Sequence, residues 1–197
     1  MMMKTLLITG FDPFGGETVN PSWEAVSLLP DSIGSVRLIK LLLPVVFREA
    51  AVKVLAAAEE YHADHILCIG QAGGRKAVTP EFAALNVRAA RIPDNSGNQP
   101  LADRIAENGP DGLFATVPVA QMAEAIRAAG LPGEVSYHAG TFVCNDVLYS
   151  VLHHFQETSV TAGFIHVPFI PEQAGEDKPS LPLQDIVRAL HAAISCL

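Results

Sequence analysis

Cys144 is the residue with the most chemical potential in this sequence. Thr141 is a suitable helix cap, and a helix starting there would carry the thiol at its third position. Unpaired main-chain N–H groups and the helix dipole at such a start favour a thiolate, and the thiolate is the reactive form of cysteine. The same N–H groups could stabilise an oxyanion while a carbonyl is attacked. Cys144, Leu148, Val151 and Phe155 also share one helical face, so core filling is the competing reading of this thiol.

A cysteine nucleophile needs a base, usually histidine. Of the seven histidines, His166 ends the apolar run Gly163–His166 and is followed by Pro168, which suits the active edge of a sheet. His138, near another strand end, is the second candidate. His62, His65, His153, His154 and His191 sit in helical or strand-start contexts. A third group should fix the imidazole tautomer. Glu81, after Thr79–Pro80, competes for that role with Asp94, Asp146 and Glu172, and residue chemistry alone leaves the choice open.

The elements that must position these residues read as an α/β fold, with helices on both faces of a largely parallel sheet. Strand patterns cover Thr5–Gly10, Val36–Val45, His65–Gly70, Phe82–Ile92, Gly112–Val117, Val135–His138 and Thr161–Pro168. Helical patterns cover Pro21–Leu29 with Asn20 as cap, Arg48–His62, Val119–Ala129, Thr141–Phe155 and Leu183–Cys196. Pro93–Pro100 has the composition of a polar loop. Ligands of open α/β sheets bind outside the carboxyl ends of the strands, so the loops after Gly10, Ile69, Ile92, His138 and Val167 should hold the site.

Bulk composition narrows the function classes. The chain has 197 residues, 49% apolar and 17% charged, which suits one globular domain over 1–197. A formal charge of -8 with no basic cluster disfavours nucleic-acid and anionic-membrane partners. No segment is long and apolar enough to span a bilayer, and Met1–Thr9 lacks the features of a signal peptide, so a cytoplasmic location is expected. Three cysteines without a CxxC argue against a disulfide framework; Cys68 reads as buried and inert, while Cys196 lies at the tail. No HExxH or clustered carboxylates occur, so no metal is expected. Gly10–Gly16 and Gly70–Gly74 follow strands and suggest an anion cradle, the basis of a rival reading as a glycosyl-transferring phosphorylase.

Four segments carry a resemblance: GFDPFGGETVNPS at Gly10–Ser22, GQAGGR…TPEF at Gly70–Phe82, GTFVCND at Gly140–Asp146 and GFIHVPFIPEQ at Gly163–Gln173. In order and spacing they resemble the pyroglutamyl-peptidase I family of cysteine peptidases, from Thr5 to about Gln173. The resemblance implies a single-domain α/β/α sandwich, no cofactor, and a homotetramer or dimer of dimers. It implies a Glu81, Cys144, His166 triad that hydrolyses the bond after an N-terminal pyroglutamyl residue. Phe11 and Phe14 resemble the family's pocket aromatics and Arg91 its active-site arginine, which could help hold the oxyanion.

A neutral lactam without a free amine needs flat apolar walls plus a donor and an acceptor. Phe142, Ile92 and Val143 can close such a slot, and Gln71 can pair with the lactam amide. Phe169 stands where the family often has Tyr. A non-catalytic binding protein with this pocket is a further alternative, with Pro93–Pro100 as the loop that could hold the site inactive.

Overall fold

The computed structural model describes residues 3–197; Met1 and Met2, part of the N-terminal stretch read above, lie outside the described residues. In chain order the elements are β1 (Lys4–Phe11), α1 (Pro21–Leu28), β2 (Ser32–Ile33), β3 (Val36–Leu43), α2 (Glu49–Glu60), β4 (His65–Gln71) and β5 (Thr79–Pro80). There follow β6 (Ala83–Leu85), β7 (Gly112–Phe114), α3 (Val119–Ala128), α4 (Val143–His154), β8 (Thr161–Val167), α5 (Pro171–Ala174) and α6 (Leu183–Ile194). The main sheet has six strands in the order β2-β3-β1-β4-β8-β5. Its four central strands run parallel, and the short strands β2 and β5 close the two edges antiparallel.

Of the central strands, β1, β4 and β8 are buried on both faces, as their near-continuous apolar sequences require. Side chains alternate between two cores. Leu6, Ile8, Leu67, Ile69, Ile165 and Val167 face the layer of α1, α3 and α6. Leu7, Phe11, Ile66, Cys68 and Phe164 face α2 and α4. The order β3-β1-β4 means the chain leaves β1 in one direction and returns on its other side. The crevice between the ends of β1 and β4 is therefore the switch point where such sheets bind ligands.

Three expected elements are absent as drawn from the pattern. Of the strand expected at Phe82–Ile92, only Ala83–Leu85 is extended pairing, with β7 in a separate two-stranded sheet. The remainder is an irregular segment held by side chains: Asn145 brackets Leu85 N–H and the Leu85 and Val87 carbonyls at 2.8–3.0 Å. Val135–His138 is not a strand, although Ser136 makes a single parallel bridge to Glu81. Thr141 does not cap α4. Its hydroxyl donates to Ala89 O and its carbonyl accepts from Ala89 N–H, both at 2.9 Å, so Phe142 takes the cap position with no side-chain bond. The Asn20 cap does form, accepting from Ser22 N–H at 3.1 Å.

Candidate active site

His166 is near the end of β8, in register with Gly70 on β4 and Thr79 on β5. Ile165 and Val167 enter one core, so the imidazole projects to the other side with Phe164, toward α4. Glu81 follows β5 directly and is anchored by its N–H to Phe164 O at 2.8 Å. Its side chain is fully buried. Oε1 accepts from His166 Nδ1 and from Arg75 Nη1, each at 2.6 Å. A carboxylate oxygen can only accept, so Nδ1 carries the proton and Nε2 is left with its lone pair. That is the tautomer a general base requires. Oε2 is buried without a hydrogen-bond partner. The nearby Ser136 hydroxyl aims at the His138 carbonyl, at 3.4 Å.

Cys144 is the second residue of α4, one position earlier than a Thr141 cap would place it. The uncapped start leaves the N–H groups of the first turn without intrahelical partners. The sulfur lies over β4: a Cβ added to Gly70 would come within 2.9 Å of Sγ and 2.7 Å of the Phe164 ring. Gly70 is thus the floor on which the thiol rests, and its register partner across the sheet is His166, about one strand spacing of 4.8 Å away. The helix start is fixed from below. Asp146 accepts from Arg88 Nε and from Arg48 N–H, both at 2.7 Å.

Beside the thiol, Phe11, Phe14, Gln71, Phe142 and Val143 come together with Asn20 and Val45 around an apolar slot at the β1/β4 switch point. Its free volume is about 10 Å³. That is scarcely one water molecule and far less than a five-membered lactam. Phe142 stacks edge-on against Phe47 at 5.2 Å and tilts against Phe14 at 6.1 Å. The exposed Arg91 and Ile92 do not enter the slot; they line an adjoining depression of about 330 Å³ that shares Phe14 and Phe142 with it. Gln71 Oε1 accepts from Gln173 Nε2 at 3.1 Å, which fixes the amide.

The sequence pattern of the family described as pyroglutamyl peptidase matches residues 3–197. The chain belongs to the pyroglutamyl peptidase family. It is 47% identical to the pyrrolidone-carboxylate peptidase of Brevibacillus brevis, over 98% of this chain and 92% of that one. The Escherichia fergusonii pyrrolidone-carboxylate peptidase is 48% identical over the same shares. Pyroglutamyl peptidase I from Bacillus amyloliquefaciens superposes with a TM-score of 0.95 at 44% identity, over 99% of this chain and 95% of that one. The Thermococcus litoralis pyrrolidone carboxyl peptidase gives 0.94 at 35% identity, over 98% and 93%. The protein is a hydrolase of the peptidase class, and the phosphorylase reading of its glycine-bearing loops is set aside.

Within this pyroglutamyl peptidase site, burial pushes the Cys144 thiol up to about 12, with the Glu81 charge and Cys68 adding to it; Arg75 and the thiol's own main-chain N–H oppose the shift and lose. Burial also lowers His166, against the hydrogen bond and charge of Glu81, and Arg75 lowers it further. Burial raises Glu81, but its contacts with His166 and Arg75 outweigh it and hold the carboxyl below its ordinary range. These shifts favour thiol, neutral imidazole and carboxylate in the free site: burial and a neighbouring negative charge work against the thiolate that the helix start favours.

The competing acids have other duties. Asp94 is buried inside its own turn, accepting from Phe47, Ser96 and Asn98 N–H groups. Those bonds, with Asn95 N–H to Val45 O at 2.9 Å, hold the Pro93–Pro100 loop in place. Asp146 pairs with Arg88, and Glu172 is exposed. His138 is exposed and accepts from Gly140 N–H at 3.2 Å. Arg75 is the residue the sequence reading missed. It stands in the quoted GQAGGR segment, six positions before Glu81, and that proximity to a lone acid was the available signal.

Proposed function

We propose that the protein removes N-terminal pyroglutamyl residues from peptides, with Cys144 as nucleophile, His166 as base and Glu81 orienting the base. The observation that carries this reading is the buried 2.6 Å bond from His166 Nδ1 to Glu81, which leaves Nε2 free on the side of the sheet where the Cys144 sulfur sits. His166 takes the thiol proton as the sulfur attacks the pyroglutamyl carbonyl, so the thiolate is generated during attack and not stored beforehand. The N–H groups at the start of α4 receive the oxyanion. Protonated His166 then gives its proton to the leaving amine, and water hydrolyses the thioester with His166 again as base.

The acyl group belongs in the slot between Phe11, Phe14, Phe142 and Val143, with Gln71 pairing to the lactam. Binding must first open it, and Phe142 and Phe14 are the walls shared with the neighbouring depression. Opening would merge the two spaces and bring Arg91 and Ile92 to the mouth of the site, where the Arg91 charge can support the oxyanion.

The homotetramer and the cytoplasmic location belong to the same proposal. They are supported by the resemblance to the family and by free cysteines at 68, 144 and 196. Among the described residues no helix is long and apolar enough to cross a membrane. Sedimentation velocity measures the assembly directly.

Release of a fluorescent amine from a pyroglutamyl amide, beside a prolyl amide control, tests the activity. Cleavage of the first alone, abolished by iodoacetamide and by Cys144→Ala, is expected. Cleavage that persists in folded Cys144→Ala protein would remove Cys144 from the mechanism.

A further inference from the structure

Beyond Glu81, on the side away from the slot, lies an open groove of about 610 Å³. One wall is the loop Gly74–Ala77 and the other is the segment Glu134–His138. Arg75 and Thr79 belong to both places: they line this groove, and Arg75 bonds to Thr79 and Glu81 in the site itself. Groove and catalytic centre therefore share the Arg75 side chain and lie side by side.

The order of the strands gives the groove a direction. The slot lies at the ends of β1 and β4, the sulfur over β4, His166 on β8, Glu81 after β5, and Ser136 bridges to Glu81 one step further out. A substrate whose acyl group fills the slot has its scissile bond at the sulfur. Its leaving amine must be on the side of His166, which protonates it. The leaving chain is thus aimed along β8 and β5 toward the groove. Two to three strand spacings of about 4.8 Å separate the sulfur from the groove's outer wall, a span of about 10–15 Å. An extended chain covers this with three or four residues at about 3.3–3.6 Å each.

The walls suit an extended peptide. Among the described residues the main-chain N–H and C=O of Val135 and Tyr137 have no hydrogen-bond partner, because this segment pairs with β5 and its flanks only through the alternate residues Glu134 and Ser136. Such an open edge accepts a chain by strand addition. Tyr137, 75% exposed, packs on Phe82 at 6.3 Å and offers an apolar platform. Arg75 is engaged by Glu81. Lys76 is exposed and makes no ion pair among the described residues; Glu134 lies on the opposite wall.

Resting on the peptidase reading above, we propose that this groove is the binding site for the leaving peptide, that it engages chains extending at least three residues past pyroglutamate, and that Lys76 favours a carboxylate there. The experiment compares kcat/KM for a pyroglutamyl arylamide with a series of pyroglutamyl peptides of increasing length, each as free acid and as C-terminal amide. The same comparison is made for Lys76→Glu. In wild type, kcat/KM should rise once the chain reaches three or four residues past pyroglutamate, and the free acid should exceed the amide about two- to fivefold, the range of an exposed ion pair. In Lys76→Glu the acid-to-amide ratio should invert. Arylamide cleavage with no dependence on peptide length would overturn the groove and leave the peptidase reading standing. No cleavage of either substrate class by folded protein would overturn that reading and the groove with it. The wild-type series decides the matter even if the variant fails to fold.

Discussion

Replacing Arg75 by glutamine removes a positive charge that shares one carboxylate oxygen with His166. Two 2.6 Å contacts on Glu81 Oε1 put the guanidinium and imidazole nitrogens at most about 5 Å apart. At an effective dielectric of ~20, two unit charges at that separation repel by about 3 kcal/mol. The Arg75 side chain is 30% exposed, so water screens part of this. About 1–1.5 kcal/mol is a fair remainder, equivalent to about one pKa unit. The sign follows from which form is stabilised. Arg75 disfavours imidazolium, so its removal raises the affinity of His166 for a proton. His166 acts as base only when neutral, so activity in the variant should disappear at a higher pH as acid is added. The acid limb of kcat/KM against pH, measured on a pyroglutamyl amide, should move up by about one unit. Arg75→Lys, which keeps the charge, should return the limb most of the way. A lowered kcat with an unmoved acid limb would refute the electrostatic argument and reduce Arg75 to a brace for Glu81.

The other expected outcomes concern the parts that hold the site. Glu81→Gln keeps an acceptor for Nδ1–H but loses the charge that favours imidazolium, so kcat should fall by about 10²- to 10³-fold without vanishing. Wild-type kinetics there would take Glu81 out of the site. Gly70→Ala pushes a methyl group into the Cys144 sulfur and the packed Phe164 ring, at 2.9 and 2.7 Å, and should cost about 10²-fold in kcat through misplacement of the nucleophile. Unimpaired turnover would mean that the sulfur works from another position. Asp146→Ala strands the Arg88 charge, whose side chain is 7% exposed, and should destabilise by about 3–5 kcal/mol, a fall in Tm of roughly 10 °C. A thermal unfolding midpoint within a degree of wild type would refute that estimate.

Regular elements were legible because their signals are local. The short apolar runs of β1, β4 and β8, the Asn20 cap and the terminal helix all follow from residues within a few positions of one another. The segment after Leu85 was not legible, and the reason is physical. Its main chain is satisfied by Asn145 and Thr141, and its Arg88 side chain by Asp146, which stand 52–60 positions away. Thr141 has the composition of a cap and serves as a cross-brace, a choice that only the folded neighbourhood makes. At the site, residue chemistry alone nominated Cys144 and His166 but left the third member open among four acids. Glu81 followed from the resemblance. Arg75 escaped because its one signal, standing six positions before Glu81, does not by itself single out a partner. The closure of the slot escaped because pattern reveals which aromatics gather and not how tightly they pack.

That closure bears on how the enzyme survives between turnovers. Oxidants attack thiolates far faster than thiols, and the damage proceeds through sulfenic acid to forms that cannot be reversed. Burial and the Glu81 charge push the Cys144 thiol up, toward its protonated form, and the slot at its side is narrow. In the proposed mechanism the thiolate forms as the substrate carbonyl is attacked, when the substrate itself occupies the slot beside the sulfur. The arrangement that makes the nucleophile slow to wake also keeps it chemically intact.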